Sequence, residues 1–270
     1  MYSGFSLENK VIVVTGATGV LGESFVNGLA DAGAIVGVLG RNVAVANERV
    51  ENIIKNGGQA IALIADVQNE QQVEAARDLL VSKYGRIDGL INGAGGNRPG
   101  GILQPEGDIF ALNIDGMKEV MDLNLWGTLI PTQIFGKIIA QTGGSIVNIS
   151  SMTAKRAVTK VMGYSLAKAA IDAYTQWFAV ELANRYGDAI RMNAIAPGFF
   201  LTEQNRTLLT TEDGGYTKRG ELVLNQTPFK RFGHPDELVG ALIWLLSDAS
   251  KFVTGTVINV DGGFIVNSGV

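Results

Sequence analysis

Seven short apolar segments recur along the chain, and longer segments with helical periodicity separate them. Each apolar segment has the length of a β-strand and is apolar on both faces, which is typical of strands covered on both sides of a sheet. The strand segments are 10–15, 34–39, 59–65, 87–92, 145–150, 190–196 and 255–260. The helical segments are 20–31, 43–55, 70–83, 117–141, 163–185 and 236–246. The alternation predicts an α/β protein with a Rossmann-like, doubly wound parallel sheet of about seven strands and helices on both faces.

We expect residues 1–270 to form a single domain, because no repeat or low-complexity linker interrupts this alternation. Two segments, 96–116 and 199–228, do not fit the pattern and are predicted to be irregular loops. Loops of this length in a compact domain are usually functional or mobile.

The composition excludes several classes of function. The chain has no cysteine and one histidine, so we expect no disulfide and no metal site. Its net charge is −4 and no more than two basic residues are adjacent, which speaks against nucleic acid as a partner. No apolar run approaches the roughly 20 residues that cross a bilayer, and no signal peptide is evident. We therefore expect a cytoplasmic protein that acts on a small molecule.

A glycine-rich turn, within VVTGATGVLG (13–22), follows the first strand segment. Gly16, Gly19 and Gly22 stand where the strand ends and a helix begins. In that position backbone N–H groups and the helix N-terminus can hold a dinucleotide pyrophosphate. The alternative is a plain strand-to-helix turn that needs small residues for packing.

The end of the second strand bears on the choice of dinucleotide. NAD-binding units usually place an acid there for the ribose 2′-hydroxyl, whereas NADP-binding units offer an arginine. This chain has Gly40 followed by Arg41, so NADP is favoured and NAD remains open. The alternative for Arg41 is a solvated turn residue.

A second group of polar residues follows the fifth strand segment. Ser150 and Ser151 end that segment, and Tyr164 precedes Lys168 by four residues, which places both on one helix face. A tyrosine has a pKa near 10, and a neighbouring ammonium favours the phenolate and lowers that pKa. The pair therefore suits proton transfer, although an isolated Tyr-x-x-x-Lys is more often a buried aromatic beside an exposed lysine.

These motifs, in this order, resemble the classical short-chain dehydrogenases/reductases. The resemblance runs from about residue 8 to the C-terminus. It includes TGATGVLG (15–22), ADV (65–67), NGAG (92–95), LNLWG (123–127), Ser151 thirteen residues before Tyr164, APGFFLT (196–202) and VDGGF (260–264).

The resemblance implies the following roles. Tyr164 exchanges the proton of the substrate oxygen, and Ser151 hydrogen-bonds that oxygen. Lys168 holds the nicotinamide ribose and depresses the pKa of Tyr164, while Asn124 anchors a water in a proton relay. Ser150 is assigned to structure. The predicted cofactor-binding residues are Gly16, Thr18, Gly19, Val20, Leu21, Gly22, Arg41, Asn42, Asp66, Val67, Asn92, Gly93, Ala94, Tyr164, Lys168, Pro197, Gly198 and Thr202.

The glycine turn departs from the family pattern in one respect. The usual middle glycine falls one residue later, where this chain has Val20. Valine does not readily adopt a positive φ, whereas glycine does. We therefore predict that Gly19 carries the unusual backbone conformation of the turn.

For the substrate, INGAGGN, PGFFLTEQNR and VDGGFIVNSGV resemble the fructuronate reductase (D-mannonate oxidoreductase) branch of the family. This resemblance implies a secondary alcohol or ketone on a sugar acid, or a related polyol. The candidate substrate-binding residues are Asn97, Arg98, Gln204, Asn205 and Arg206. For Arg98 and Arg206 the alternative is ordinary surface charge.

Two other functions are considered: a reductase of 3-oxoacyl groups on a carrier protein, and a dinucleotide sensor without catalysis. The negative net charge disfavours an acidic carrier, and a sensor has no need of four catalytic side chains. The family resemblance also implies a homotetramer.

Overall fold

The seven strands of the computed structural model, which describes residues 3–104, 106–202 and 205–269, form one parallel sheet. The strands are β1 (Val11–Thr15), β2 (Ile35–Gly40), β3 (Gln59–Ile64), β4 (Gly89–Asn92), β5 (Gly144–Ile149), β6 (Ile190–Pro197) and β7 (Val257–Val260). Their order is β3-β2-β1-β4-β5-β6-β7, and every neighbouring pair is parallel. The predicted doubly wound sheet is confirmed.

Helices connect the strands and cover both faces of the sheet. The α-helices are α1 (Val20–Asp31), α2 (Val43–Lys55), α3 (Glu70–Tyr84), α4 (Ile114–Met121), α5 (Gly127–Thr142), α6 (Met162–Tyr186), α7 (Arg206–Leu209), α8 (Lys218–Gln226) and α9 (Val239–Leu246). A π-helical turn (Asp122–Trp126) joins α4 to α5. Short 3-10 helices span Ser3–Phe5, Pro99–Gly101, Met152–Ala154, Pro235–Leu238 and Asp248–Ser250.

The core consists of two apolar layers, one on each side of the sheet. Successive strand side chains point to opposite faces, so Ile12 and Val14 of β1 pack in one layer and Val11 and Val13 in the other. Helices α1, α2 and α9 cover the first layer. Helices α3, α5 and α6 cover the second. Burial on both faces explains why the strands are apolar without alternation.

The strand order reverses between β1 and β4. From β1 the chain builds outward to β2 and β3, and it then returns to place β4 on the other side of β1. The two sets of connections diverge at this point and leave a crevice beyond the carboxyl ends of the strands. The loops after β1 and β4 therefore border the expected ligand site.

The largest differences from the sequence-based expectations lie in the two segments predicted to be irregular. Segment 96–116 contains a 3-10 helix and the start of α4, and segment 199–228 contains α7 and α8. Helix α8 has its own N-cap, because the Thr217 hydroxyl accepts a hydrogen bond from Gly220 N–H. The predicted helix 117–141 is α4, the π-helical turn and α5 in succession.

Within the described ranges, no helix is both long enough and apolar enough to span a bilayer. In the same ranges, no group of three or more histidine, aspartate or glutamate side chains is placed to hold a metal ion.

Candidate active site

A cleft of about 430 Å³ lies at the carboxyl edge of the sheet, across the point where the strand order reverses. The predicted cofactor residues that line it are Gly16, Thr18, Gly19, Val20, Leu21, Gly22, Arg41, Asp66, Val67, Gly93, Ala94 and Thr202. Six further lining residues were not predicted from the sequence, namely Leu39, Gly40, Arg49, Ala65, Gly95 and Leu123. Most of these are apolar or glycine residues next to predicted ones, and Arg49 is the exception.

The glycine turn at one end of the cleft differs from the prediction about Gly19. Gly19 is the N-cap of α1 with an ordinary extended backbone, φ −87° and ψ 174°. The positive φ belongs to Gly16, at +68°. Val20 is the first residue of α1 and does not have a positive φ, so its backbone does not need a glycine. The prediction that Gly19 carries the unusual conformation is therefore wrong.

The space around Gly16 explains why this position needs glycine. A Cβ atom on Gly16 would lie 2.7 Å from the Gly93 carbonyl oxygen and 2.7 Å from Ala94 N. The turn thus packs backbone against backbone on the loop after β4, and the N-terminus of α1 is left open to the cleft. A pyrophosphate fits such a cradle, because N–H groups without side-chain cover can reach its oxygens.

The other end of the cleft carries an arginine beside an aspartate. The Arg41 guanidinium lies 3.4 Å from the Asp66 carboxylate. A Cβ atom on Gly40 would lie 2.6 Å from the Thr18 side chain, so an acid at position 40 would displace Thr18. This end of the cleft therefore presents a guanidinium where NAD-specific units usually present a carboxylate.

Four predicted cofactor residues also have structural roles. Asn42 caps α2 by accepting a hydrogen bond from Val45 N–H. Asn92 is buried, and its amide donates to Thr132 Oγ1 and Asn148 Oδ1, at 2.8 Å each, inside the core. The side chains of Asn42 and Asn92 thus hold α2 and the core, and their assignment to the cofactor stays a prediction.

Pro197 and Gly198 are the other two predicted cofactor residues with structural roles. Pro197 ends β6 with its backbone paired to β7, and Gly198 N–H donates to the Val260 carbonyl. A Cβ atom on Gly198 would lie 2.7 Å from Asp261, so glycine is needed here for close packing. The assignment of Pro197 and Gly198 to the cofactor stays a prediction.

Ser151, Tyr164 and Lys168 meet where β5 ends beside α6. Tyr164 and Ser151 share a hydrogen bond. The Lys168 Nζ lies 5.3 Å from the centre of the Tyr164 ring and donates to the Ile149 carbonyl at 2.7 Å. A Cβ atom on the cleft residue Gly95 would lie 3.3 Å from Lys168 Nζ, so this cluster borders the cleft. The predicted serine, tyrosine and lysine therefore come together in space.

Burial shifts the pKa values of both ionisable members of this cluster. It raises the pKa of Tyr164 to about 12, and the hydrogen bond with Ser151 acts in the opposite direction. It lowers the pKa of Lys168 to about 8, against the attraction of the nearby Asp172 carboxylate. The expected depression of the Tyr164 pKa by Lys168 is not seen in the protein alone, because desolvation of the phenolate dominates.

Ser150 also has a defined partner. Its hydroxyl donates to the Asp172 carboxylate on α6, which ties the end of β5 to the helix that carries Tyr164. Burial raises the pKa of Asp172, and this hydrogen bond opposes the shift. This geometry agrees with a structural role for Ser150.

Asn124 lies buried in the π-helical turn between α4 and α5. Its amide nitrogen donates to the carbonyls of Gly96 and Val120 at 2.8 and 2.7 Å, and its Oδ1 accepts from Gly96 N–H at 3.0 Å. Its own carbonyl accepts from the Thr128 hydroxyl. The side chain thus holds the loop after β4 against the catalytic cluster, and π-helical turns often occur at functional sites.

The candidate substrate residues are divided between two loops. Asn97 and Arg98 directly follow Gly96, and Asn97 Oδ1 is buried with no hydrogen-bond partner among the described residues. Asn205 uses both side-chain ends within its own loop, accepting from Thr202 N–H and donating to the Phe200 carbonyl, at 2.8 Å each. Asn205 thus supports its loop, and its assignment to the substrate stays a prediction. Arg206 begins α7, and Gln204 lies outside the described residues.

Comparisons with known proteins agree with this geometry. The family profile described as enoyl-(acyl carrier protein) reductase matches residues 16–265. An uncharacterized oxidoreductase of Bacillus subtilis is 40% identical over 275 residues, covering 98% of each chain.

Two solved structures are also similar along the whole chain. One is a protein of Haemophilus influenzae assigned provisionally as a D-mannonate oxidoreductase, with bound NAD. It has a TM-score of 0.90 and 41% identity and covers 98% of each chain. The other is a gluconate 5-dehydrogenase of Burkholderia cenocepacia in complex with NADP and tartrate. It has a TM-score of 0.86 and 32% identity, and it also covers 98% of each chain.

The fold, the dinucleotide cleft and these matches define the class of protein. The chain belongs to the short-chain dehydrogenase/reductase family. It is a nicotinamide-dependent oxidoreductase that acts on CH–OH groups.

The cradle at Gly16 can be tested by substitution. We expect Gly16→Ala to lower the free energy of unfolding by roughly 1–3 kcal/mol, because it forces a side chain into a positive φ and against the backbone of Gly93. Thermal or urea unfolding measures this change. The control is Gly136→Ala on α5, where no atom lies within 4 Å of the new Cβ. That variant should be as stable as the native protein, or about 1 kcal/mol more stable. Equal stability of the two variants would contradict the assignment.

The buried Lys168 predicts a pH dependence of stability. Between pH 8 and 10 the folded protein has lost the Lys168 proton, whereas the unfolded chain, with its ordinary lysine pKa of 10.5, retains it. The unfolded state then binds more protons, so the contribution of Lys168 to stability rises with pH in this window. The difference in unfolding free energy between native protein and Lys168→Met should therefore increase from pH 7.5 to 10 in urea titrations. Lys137→Met, at an exposed site on α5, should show a flat difference. A flat difference for Lys168→Met as well would refute the pKa shift.

Proposed function

We propose that the protein interconverts a secondary alcohol and a ketone on a sugar acid of the D-fructuronate/D-mannonate type, or on a related polyol. The observation that carries the reaction is the Ser151–Tyr164–Lys168 cluster beside the dinucleotide cleft. The sugar-acid class is supported by the two similar structures, whose descriptions name a mannonate and a gluconate enzyme. We further propose that one domain, residues 1–270, carries both the cofactor and the substrate sites.

Each catalytic residue is proposed to act on the substrate or to position another group. The Tyr164 hydroxyl gives its proton to the carbonyl oxygen in reduction and takes it back in oxidation. Ser151 hydrogen-bonds the same oxygen as charge develops on it. Lys168 holds the ribose hydroxyls, and its ammonium favours the phenolate once the cleft is filled. The nicotinamide supplies or accepts the hydride.

Asn124 and three residues of the two loops are also proposed to take part. Asn124 holds the loop after β4 and anchors a water for proton exchange with solvent. Asn97 and Arg98, which continue that loop, would bind substrate hydroxyls and the carboxylate. Arg206 is a second candidate for the carboxylate.

For the cofactor, we propose a preference for NADP. The supporting features are Arg41, which lines the cleft, and Gly40, which places no carboxylate at the end of β2. The similar structures contain either dinucleotide, NAD in one and NADP in the other. NAD is therefore the alternative.

A 3-oxoacyl carrier-protein reductase is the second candidate function, favoured by the description of the matching family profile. The net charge of −4 argues against an acidic carrier as partner. A dinucleotide sensor without catalysis is less well supported, because all four catalytic residue types are present. A homotetramer and a cytoplasmic location remain predictions.

The role of Tyr164 gives a direct test of the mechanism. Tyr164→Phe should lower kcat by about 10²–10⁴-fold with any good substrate, because it removes the transferred proton but keeps the ring. Dinucleotide affinity, measured by fluorescence titration, should stay within about twofold. Tyr186→Phe, exposed near the end of the same helix, is the matched control and should leave kcat unchanged. If Tyr164→Phe turned over substrate like the native enzyme, the proposed mechanism would be wrong.

A spectrophotometric panel tests the substrate and cofactor proposals together. Hexuronates, aldonates, ketoses and 3-oxoacyl thioesters are each assayed with NADPH or NADH, or with the oxidised forms for the alcohols. We expect the highest kcat/KM for a hexuronate or aldonate with the phosphorylated dinucleotide. A preference for acyl thioesters would favour the reductase alternative, and strict use of NAD would contradict the argument from Arg41. Binding of cofactor without turnover of any compound would favour the sensor.

A further inference from the structure

Arg49, on α2, is a buried cation whose hydrogen-bonding capacity the described residues do not fully satisfy. The residue is only 8% exposed. Its Nη2 lies 3.4 Å from the carboxylate of Glu23 on α1, which is itself largely exposed. Its Nη1 is buried and has no acceptor among the residues that the structure describes. Burial lowers the pKa of the guanidinium, an effect that Glu23 and Glu48 oppose.

The buried Arg191 of the same protein provides a comparison, because its guanidinium has several hydrogen-bond acceptors. Arg191 is also 8% exposed. It donates to the Leu245 carbonyl at 2.8 Å, the Ser250 hydroxyl at 2.6 Å and the Ser247 carbonyl at 3.1 Å. These acceptors lie at and just after the C-terminal end of α9, where a cation is favoured. Burying an arginine without such partners is destabilising, so the position of Arg49 needs another explanation.

The location of Arg49 explains why it is buried without these partners. Arg49 lines the dinucleotide cleft together with Thr18, Gly40, Arg41 and Asp66. It lies on α2, the helix that follows Gly40 and Arg41 in the chain. With a pyrophosphate at the N-terminus of α1, the part of the cleft beside the end of β2 receives the adenosine ribose. Arg41 and Arg49 each face one carboxylate at 3.4 Å, longer than a good charge-assisted hydrogen bond, and both acids are partly exposed. A phosphate dianion is a stronger partner for two guanidinium groups than either of these contacts.

We propose that Arg49 is a specificity-determining residue that binds, together with Arg41, a phosphomonoester on the adenosine ribose of the cofactor. This inference rests on the proposed preference for NADP and names a second residue responsible for it. The guanidinium of Arg49 donates to a phosphate oxygen, and the Glu23 carboxylate is the weaker partner that Arg49 holds in the absence of ligand.

The test compares two ligands that differ only in the phosphate in question. Adenosine 2′,5′-bisphosphate and 5′-AMP are titrated into the full-length protein by isothermal calorimetry. The native protein should bind the bisphosphate more tightly. Arg49→Met should weaken bisphosphate binding by about tenfold or more, because a charge-assisted contact is lost, and should change 5′-AMP binding by less than about twofold. Lys55→Met, the same charge change at an exposed site on α2, should alter neither affinity.

Stability and a second variant separate this role from a structural one. Arg49→Met should keep or raise the thermal midpoint of the ligand-free protein, whereas Arg191→Met should lower it. Glu23→Gln leaves Arg49 in place but weakens its competing partner, and should strengthen bisphosphate binding by at least about twofold. This exposed substitution also tests the proposal if Arg49→Met fails to fold.

The remaining outcomes would overturn either this inference or the proposed cofactor preference. If Arg49→Met weakens the binding of both ligands equally, or weakens neither, Arg49 does not recognise the 2′-phosphate. If Arg41→Ala abolishes the preference for the bisphosphate over 5′-AMP and Arg49→Met preserves it, only the role proposed for Arg49 is wrong. If the native protein binds the two ligands equally well, the proposed preference for NADP is itself wrong.

Discussion

The hydroxyl of Thr15 joins the two loops between which the active site lies. Thr15 ends β1, and its Oγ1 accepts hydrogen bonds from the backbone N–H groups of Gly93 and Ala94, at 3.1 Å each, in the loop after β4. Backbone contact between Gly16 and the same loop reinforces this link. The width of the cleft at the reversal of strand order is thereby set by main-chain packing. A dinucleotide can then lie across the sheet between a phosphate cradle on one side and the catalytic cluster on the other.

A chain of buried polar contacts extends this constraint to the catalytic residues. The Asn92 amide at the end of β4 donates to Thr132 on α5 and to Asn148 on β5. Thr132 donates to the Thr128 carbonyl, and Thr128 donates to the carbonyl of Asn124. Because a buried polar group without a partner is costly, such a network favours one arrangement of its members. The π-helical turn that carries Asn124 is held in place from the core as well as by the loop at Gly96.

Much of the fold could be predicted from the sequence, since strand and helix periodicity are local properties. The bounds predicted for α1 and α2 agree with the structure, and all seven strands were found within two residues at each end. The segment 199–228 was less well predicted, because α7 and α8 are short and interrupted by turn residues, so periodicity is weak there. The position of the positive φ was also wrong: local propensity ranks glycines equally, and only the backbone of the loop after β4 makes Gly16 the strained one.

The sequence by itself determined the class of fold, the order of the motifs and the residue types of the catalytic cluster, because these depend on local pattern and on spacing along one helix or strand. The tertiary structure decided which polar residues face the cleft. The sequence predicted binding roles for three asparagines near motifs, and each forms hydrogen bonds within the fold. Asn42 caps α2, Asn92 belongs to the buried network and Asn205 supports its own loop. Arg49 was missed although it occupies the buried spacing of α2 with Ala46 and Ile53, a position where a cation is unexpected. Whether a polar side chain supports the fold or remains available for a ligand depends on partners distant in sequence, and only the folded chain brings those partners together.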